Sequence, residues 1–150
     1  MSDRRRVLII EARFYEQIAD DLAKGAIAVL DGANVDYDRI SVPGAFEIPP
    51  VIAMDLDAEN GPSYDGYITL GCVIRGETDH YDHICRETSR SIMDLAVLGG
   101  AALGFGILTC ENMAQAVARA DVEQKNKGKD VAEACLRMME LSENFRESRK

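Results

Sequence analysis

The chain has 150 residues, 47% of them hydrophobic, and a formal net charge of -9 at pH 7. That length suits one domain, 1–150, with a sizeable core, and no segment has the composition of a disordered region. The acidic balance argues against nucleic-acid binding, which needs clustered Lys and Arg, and no apolar run is long enough for a membrane helix.

Arg4 to Arg6 make a basic start too short to reverse that balance, and they read as a solvated flank. Charge there leads straight into an apolar run, without the h-region of a signal peptide. The run RVLIIEA, Arg6 to Ala12, predicts a buried strand. From Tyr15 to Gly32, the residues Ile18, Leu22, Ala26, Val29 and Leu30 recur at helical spacing, and Gly32 and Asn34 supply the stop. Val35 to Val42 predicts a second, less buried strand ended by Pro43 and Gly44. Ala45 to Leu56 predicts a helix with its prolines in or near the first turn. After a turn at Asn60 to Ser63, Tyr64 to Ile74 predicts the third strand. A longer helix is expected from about Asp79 to Leu98, ended by Gly99 and Gly100. Ala102 to Cys110 predicts the fourth strand and Asn112 to Ala120 a short helix. Asp121 to Lys129 reads as a polar connection in which Lys125, Lys127 and Lys129 look like an ordinary basic loop. Asp130 to Phe145 predicts the closing helix, with Val131, Ala134, Cys135, Met138 and Leu141 on one face.

Strands alternating with helices imply an α/β fold with a parallel sheet covered on both sides and right-handed crossovers. Ligands of such sheets bind beyond the carboxyl ends of the strands. That rule directs attention to Arg13 and Phe14, to Pro43 through Glu47, to Gly71 through His80 and to Phe105 through Asn112. Cys72, Cys85, Cys110 and Cys135 are scattered without a CxxC spacing, the pattern of reduced thiols in a cytoplasmic protein.

Each candidate position has a plain reading beside a functional one. Phe14 either plugs the helix–sheet interface or forms a stacking platform for a flat heterocycle. Glu47 either complements a helix dipole or accepts hydrogen bonds from a polyol. Gly76, Glu77 and Thr78 lie between a strand and a helix, where backbone N–H groups form an anion site; the spacing suits one phosphate, provided that Glu77 donates through its backbone. His80 follows in the first helical turn, and the positive end of a helix favours a neutral imidazole able to accept a proton. A metal reading takes His80 and His83 with Asp82 or Cys85, but no third ligand falls on the shared face at a fitting distance. Arg119, taken alone, is a solvent-facing arginine.

Together, VPGAFEIP, LGCVIRGETDHYDHIC, FGILTCENMAQAVARA and NKG closely resemble the lumazine synthase family, over almost the whole chain from Phe14 onward. The resemblance implies a flavodoxin-like three-layer sandwich, with a four-stranded parallel sheet flanked by helices. It implies condensation of 5-amino-6-(D-ribitylamino)uracil with 3,4-dihydroxy-2-butanone 4-phosphate to 6,7-dimethyl-8-ribityllumazine, phosphate and water, the penultimate step of riboflavin biosynthesis. It implies no cofactor and no metal, a cytoplasmic homopentamer with active sites between subunits, and an association with riboflavin synthase. By the same resemblance, Phe14 stacks on the pyrimidine, Ala45, Phe46 and Glu47 hold the ribityl chain, and Cys72, Val73 and Ile74 read the pyrimidine edge. Glu77 and Thr78 match the phosphate loop, and His80 matches the proton-transfer histidine. Phe105 and Arg119 match residues from the adjacent subunit, Arg119 on the phosphate, and Lys127 matches the lysine of NKG.

Two rival readings are a non-catalytic flavin- or lumazine-binding module on the same fold and a metal-binding protein built on His80, His83 and Cys85. The joint presence of Thr78, His80 and Arg119 favours the enzyme. Tyr15 stands where many relatives of the family have Asn, and Asp121 to Lys125 replace a glycine-richer run of shell-forming relatives. That second departure, with a short arm ahead of the first strand, predicts a free pentamer rather than a sixty-subunit shell.

Overall fold

A computed structural model describes residues 4–148. The readings about a leader and a short N-terminal arm fall partly on residues 1–3, outside the described part. Among the described residues four strands and five helices follow one another as β1 (Arg6–Ala12), α1 (Glu16–Gly32), β2 (Asp36–Val42), α2 (Ile48–Leu56), β3 (Gly66–Ile74), α3 (His80–Val97), β4 (Leu103–Cys110), α4 (Met113–Ala120) and α5 (Lys127–Glu147). A three-residue 3-10 turn, Ala45–Glu47, precedes α2. The strands are all parallel in the order β2-β1-β3-β4, the three-layer flavodoxin-like arrangement expected.

The sheet separates two apolar layers. On one face Val7, Ile9, Ile68 and Leu70 pack against α1, α4 and α5; on the other Leu8, Ile10 and Tyr67 pack against α2 and α3. This double burial explains the continuous apolar runs of β1 and β3, because a strand covered on both faces has no solvent side to alternate toward. β2 is an edge strand, and its exposed positions carry the charges seen in Asp36–Val42. The register sets Arg6 beside Asp36, and Arg4 and Arg6 form ion pairs with Asp36 and Asp38. The basic start is therefore paired to the edge strand instead of being only a solvated flank.

Most element ends lie where local chemistry puts them. Asn34, with φ 59, provides the left-handed residue just after α1, and prolines occupy the first turn of α2. Two expectations need correction at α5. The helix begins at Lys127, so Lys127 and Lys129 are helical and the connection ends at Asn126. Its buried face is Gly128, Val131, Ala132, Cys135 and Met139, whereas Ala134 and Met138 point outward. The physical reason is the close docking of α5 on α1, which rotates the helix so that its small residues face the core.

Gly128 marks the tightest point of that docking. A Cβ there would collide with the backbone carbonyl of Leu22, and Gly25 on α1 faces Asn126 and Lys129 just as closely. Asn126 itself adopts φ 47, a conformation Asn tolerates better than most residues, and so starts α5 at the required angle. Replacing Gly128 by Ala is expected to lower stability by about 1–3 kcal/mol through overpacking against backbone that cannot yield. Chemical denaturation at fixed protein concentration reads this directly, and an unchanged midpoint would show that α1 and α5 are not held so closely.

Candidate active site

The strand order reverses between β1 and β3, because β1 has β2 on one side and β3 on the other. The connections leaving these two neighbours diverge to opposite faces, opening a crevice at the carboxyl edge. A cleft of about 390 Å³ occupies this place. Phe14 and Tyr15 enter it from the end of β1, Gly44 to Glu47 from the connection after β2, Cys72 to Ile74 from the end of β3, and His80 and Ile84 from the start of α3. Four segments distant in sequence thus meet at the predicted edge of the sheet.

The side chains differ in how they are held. Phe14 is 74% exposed and meets Tyr15 edge-on, with ring centroids 4.9 Å apart. Its exposure rules out the plug reading within the chain. Ala45 is buried and anchors the 3-10 turn, while Phe46 and Glu47 project outward. Gly44 is extended, and a Cβ on it would stand 3.3 Å from a Glu47 carboxylate oxygen, so the carboxylate lies folded over this glycine. Glu47 is the last residue of the 3-10 turn and the residue ahead of α2, with no side-chain capping bond, so the expected single helix from Ala45 to Leu56 is a 3-10 turn followed by an α-helix.

Glu77 and Thr78 occupy the connection from β3 to α3, both exposed. The Thr78 hydroxyl oxygen accepts from the backbone N–H of His80 at 3.3 Å, which ties the loop to the first residue of the helix. Arg75 braces the same loop: it pairs with Glu111 at 3.0 Å and Asp82 at 3.3 Å, and its guanidinium lies 4.3 Å from the centre of the Tyr81 ring. His83 pairs with Asp79 at 3.2 Å, one turn back along α3. Among the described residues no group of three or more His, Cys, Asp or Glu side chains is placed to hold a metal ion.

Phe105, Arg119 and Lys127 do not line this cleft. Phe105 is exposed on β4 at the far edge of the sheet, and Lys127 pairs with Asp130 at 3.6 Å in the first turn of α5. Arg119 is half-buried in α4 and donates to the carbonyl of Gln115 at 3.1 Å, so it is not the fully solvated arginine of the plain reading. A larger groove of about 560 Å³ runs between α2 and α3 and shares Phe46 with the cleft. Its charged lining is Glu87 and Asp94, both paired to Arg90, and it carries no histidine, whereas the smaller cleft has His80.

Tyr15, singled out in the sequence beside Phe14, lines the cleft; Ile84 in its lining and Glu11 beneath the strand ends carry no motif in the sequence. For Glu11 a signal existed: a carboxylate inside the apolar run RVLIIEA must find a cationic partner if the strand is buried. In the structure Glu11 is 2% exposed and is bonded to both Arg13 and Arg39.

Comparison with known proteins adds an independent finding. A family model described as 6,7-dimethyl-8-ribityllumazine synthase matches residues 4–143. A protein of that name from Bartonella tribocorum is 50% identical over 149 residues, covering 99% of this chain and 97% of its own. One from Paramagnetospirillum magneticum is 53% identical, covering 89% of this chain and 92% of its own. A third, named 6,7-dimethyl-8-ribityllumazine synthase 1, from Rhizobium meliloti, is 52% identical with 93% and 92% covered.

The thiol in the cleft wall yields a prediction. Burial, reinforced by the neighbouring Cys110, pushes the Cys72 thiol up to about 12. At pH 8 such a thiol stays protonated, which makes it a poor nucleophile. Iodoacetamide at pH 8 is expected to leave Cys72 unmodified in the native protein under conditions that label it fully after unfolding. Peptide mass spectrometry distinguishes the cases, and rapid native labelling of Cys72 would contradict the shielded wall.

Proposed function

The chain belongs to the 6,7-dimethyl-8-ribityllumazine synthase family, and on that premise we propose that the cleft beyond β1 and β3 is its active site. The reaction joins 5-amino-6-(D-ribitylamino)uracil to 3,4-dihydroxy-2-butanone 4-phosphate and releases 6,7-dimethyl-8-ribityllumazine, phosphate and water. The observation that carries the assignment of the site is the meeting of Phe14, Glu47 and His80, from three separate connections, in one cleft at the point where the strand order reverses.

The chemistry sets what the cleft must supply. An amine condenses with a ketone, phosphate leaves by β-elimination, and a second condensation closes the ring. Each step moves protons and demands alignment of two substrates. The exposed Phe14 ring stacks on the pyrimidine, Glu47 accepts from ribityl hydroxyls beside Ala45 and Phe46, and the strand end Cys72–Val73–Ile74 reads the pyrimidine edge through its backbone. Glu77 and Thr78 form the phosphate loop at the positive end of α3, and His80 at that helix start transfers protons.

In this reading Phe105 and Arg119 complete the site from a neighbouring subunit, and Lys127 serves the butanone phosphate. The faces they occupy support it. Phe105, Met113 and Val117 leave apolar surface on the β4 and α4 side, whereas Phe46, Met54, Met93, Val97 and Leu98 leave it on the α2 and α3 side. Two different faces make a head-to-tail contact, the kind that closes into a ring when the rotation between neighbours closes. Arg119, delivered across that contact, meets the leaving phosphate with charge-assisted hydrogen bonds. The enzyme then acts as one domain per chain in a cytoplasmic homopentamer, with riboflavin synthase as an associated enzyme.

The loop between α4 and α5 supports a free ring over a shell. Asp121 accepts from the backbone N–H of Glu123 at 2.9 Å and from the Gln124 side chain at 3.1 Å, and Lys125 and Asn126 donate to the Ala118 and Asp121 carbonyls. This closed turn leaves little freedom for the rearrangement that further contacts between rings require.

Incubating the protein with both substrates is expected to yield the lumazine product, and no product would overturn the reading. Replacing His80 by Ala is expected to lower turnover about ten- to a thousandfold while pyrimidine binding persists. Full activity in that variant would remove His80 from the chemistry; the same change at His83 should have little effect. Light scattering at micromolar concentration is expected to report a mass near that of five chains, and a dominant sixty-chain particle would refute the free ring.

A further inference from the structure

Phe14 and Glu47 lie beyond the ordered part of the sheet. The β1–β2 ladder ends at Ala12 and Val42, so residues 13–15 and 43–47 have left the backbone pairing that aligns the strands. Side-chain packing holds Tyr15 and Ala45 to the two core layers, but between the connections lies an open hollow bordered by Arg13, Phe14, Glu16, Ser41, Val42 and Pro43. A polar tether stands at the base of this hollow. Glu11, the last but one residue of β1, is almost wholly buried. One of its carboxylate oxygens accepts from Arg13 Nη1 at 2.7 Å and from Arg39 Nη2 at 2.9 Å, and the other accepts from Arg39 Nε at 2.7 Å. Arg13 also donates to Glu16 at 2.8 Å and to Asp20, which binds the first connection to the opening turns of α1.

We propose that Glu11 is a positioning residue for the pyrimidine half of the site: through Arg13 and Arg39 it fixes the two connections that carry Phe14 and Glu47. The inference rests on the reading of the cleft as the active site. Arg13 immediately precedes Phe14, and Arg39 lies on β2 just ahead of the Pro43–Glu47 connection. A buried carboxylate requires both cations, because an unpaired charge in the sheet is costly. The planar fork of Arg39, engaged by two nitrogens, fixes direction as well as distance. The phosphate loop and His80 descend from β3 and α3, outside this tether. Glu11 therefore acts on one substrate and not the other.

The test is steady-state kinetics of the full-length Glu11→Gln and Arg39→Lys proteins, each substrate varied in turn, with assembled mass checked by light scattering. Glutamine keeps the shape without the charge, and lysine keeps the charge without the fork. In each variant KM for the pyrimidine is expected to rise about tenfold or more, while kcat and KM for the butanone phosphate stay within about threefold. Combined with Phe14→Ala, Glu11→Gln is expected to add less than it costs alone, because both act on the same stacked ring. Should Glu11→Gln not accumulate as folded protein, Arg39→Lys, on the half-exposed arm, carries the same expectation. Unchanged pyrimidine KM, or equal losses for both substrates, would overturn the inference while wild-type activity leaves the site reading intact. A wild-type protein that forms no lumazine would overturn the site reading and this inference with it.

Discussion

The parallel pairing of β1 with β3 is the constraint from which the rest of the molecule follows. Their ladder runs from Val7 beside Gly66 to Glu11 beside Leu70, and both strands are buried on both faces. Burial supplies the driving force, since each fully buried aliphatic side chain contributes about 1.5–3 kcal/mol relative to exposure. Direction supplies the function. Because the strands are parallel and the order reverses between them, the segments leaving β1 and β3 diverge, and the crevice between them is a product of topology. Shape complementarity at the seam is close: a Cβ on Gly71 would stand 3.3 Å from that of Ala12.

Around that apolar frame the site is polar in its supports. Arg75 braces the loop before α3, Thr78 ties it to His80, and Glu11 gathers Arg13 and Arg39 below the cleft. Each support holds a segment that leaves a buried strand and enters solvent, where hydrophobic packing has nothing to act on. The exposed Arg75 pairs contribute little to global stability, but they select one direction for a short loop, whereas the Glu11 pairs also neutralise a buried charge. The arrangement divides labour: apolar burial sets where the strand ends are, and ion pairs set where the loops point. The proposed neighbouring subunit adds the remaining phosphate-binding groups, and the unpartnered apolar faces on either side of each chain fit that role.

Much of this was legible in the residues. VLII and YITLG are continuous apolar runs because their strands are covered twice, and the stop at Asn34 is a left-handed conformation that few other residues accept. The order of strands was not legible locally, because register and neighbour choice depend on contacts across the whole sheet. The start of α5 was missed because NKGK looks like a loop by polarity, whereas Asn126 takes the left-handed entry and Gly128 permits the approach to Leu22. The motif thus has a packing reason for two of its three residues, leaving Lys127 for the proposed role toward phosphate. Helical spacing alone puts Met138 on the inner face; the small residues Gly128 and Ala132 decide the rotation instead. A single acidic letter in the β1 run signals that Glu11 needs a cation but not which one, since its partners lie two and twenty-eight positions away.

The central claim is that one cleft receives the pyrimidine from one chain and the phosphate between two. A crystal structure of the assembled protein with 5-amino-6-(D-ribitylamino)uracil and inorganic phosphate tests it most directly. The account predicts the pyrimidine stacked on Phe14, the ribityl hydroxyls at Glu47, and phosphate between Thr78 of one chain and Arg119 of its neighbour. A pyrimidine bound in the α2–α3 groove, or a phosphate held by Thr78 and Arg119 of the same chain, would contradict it.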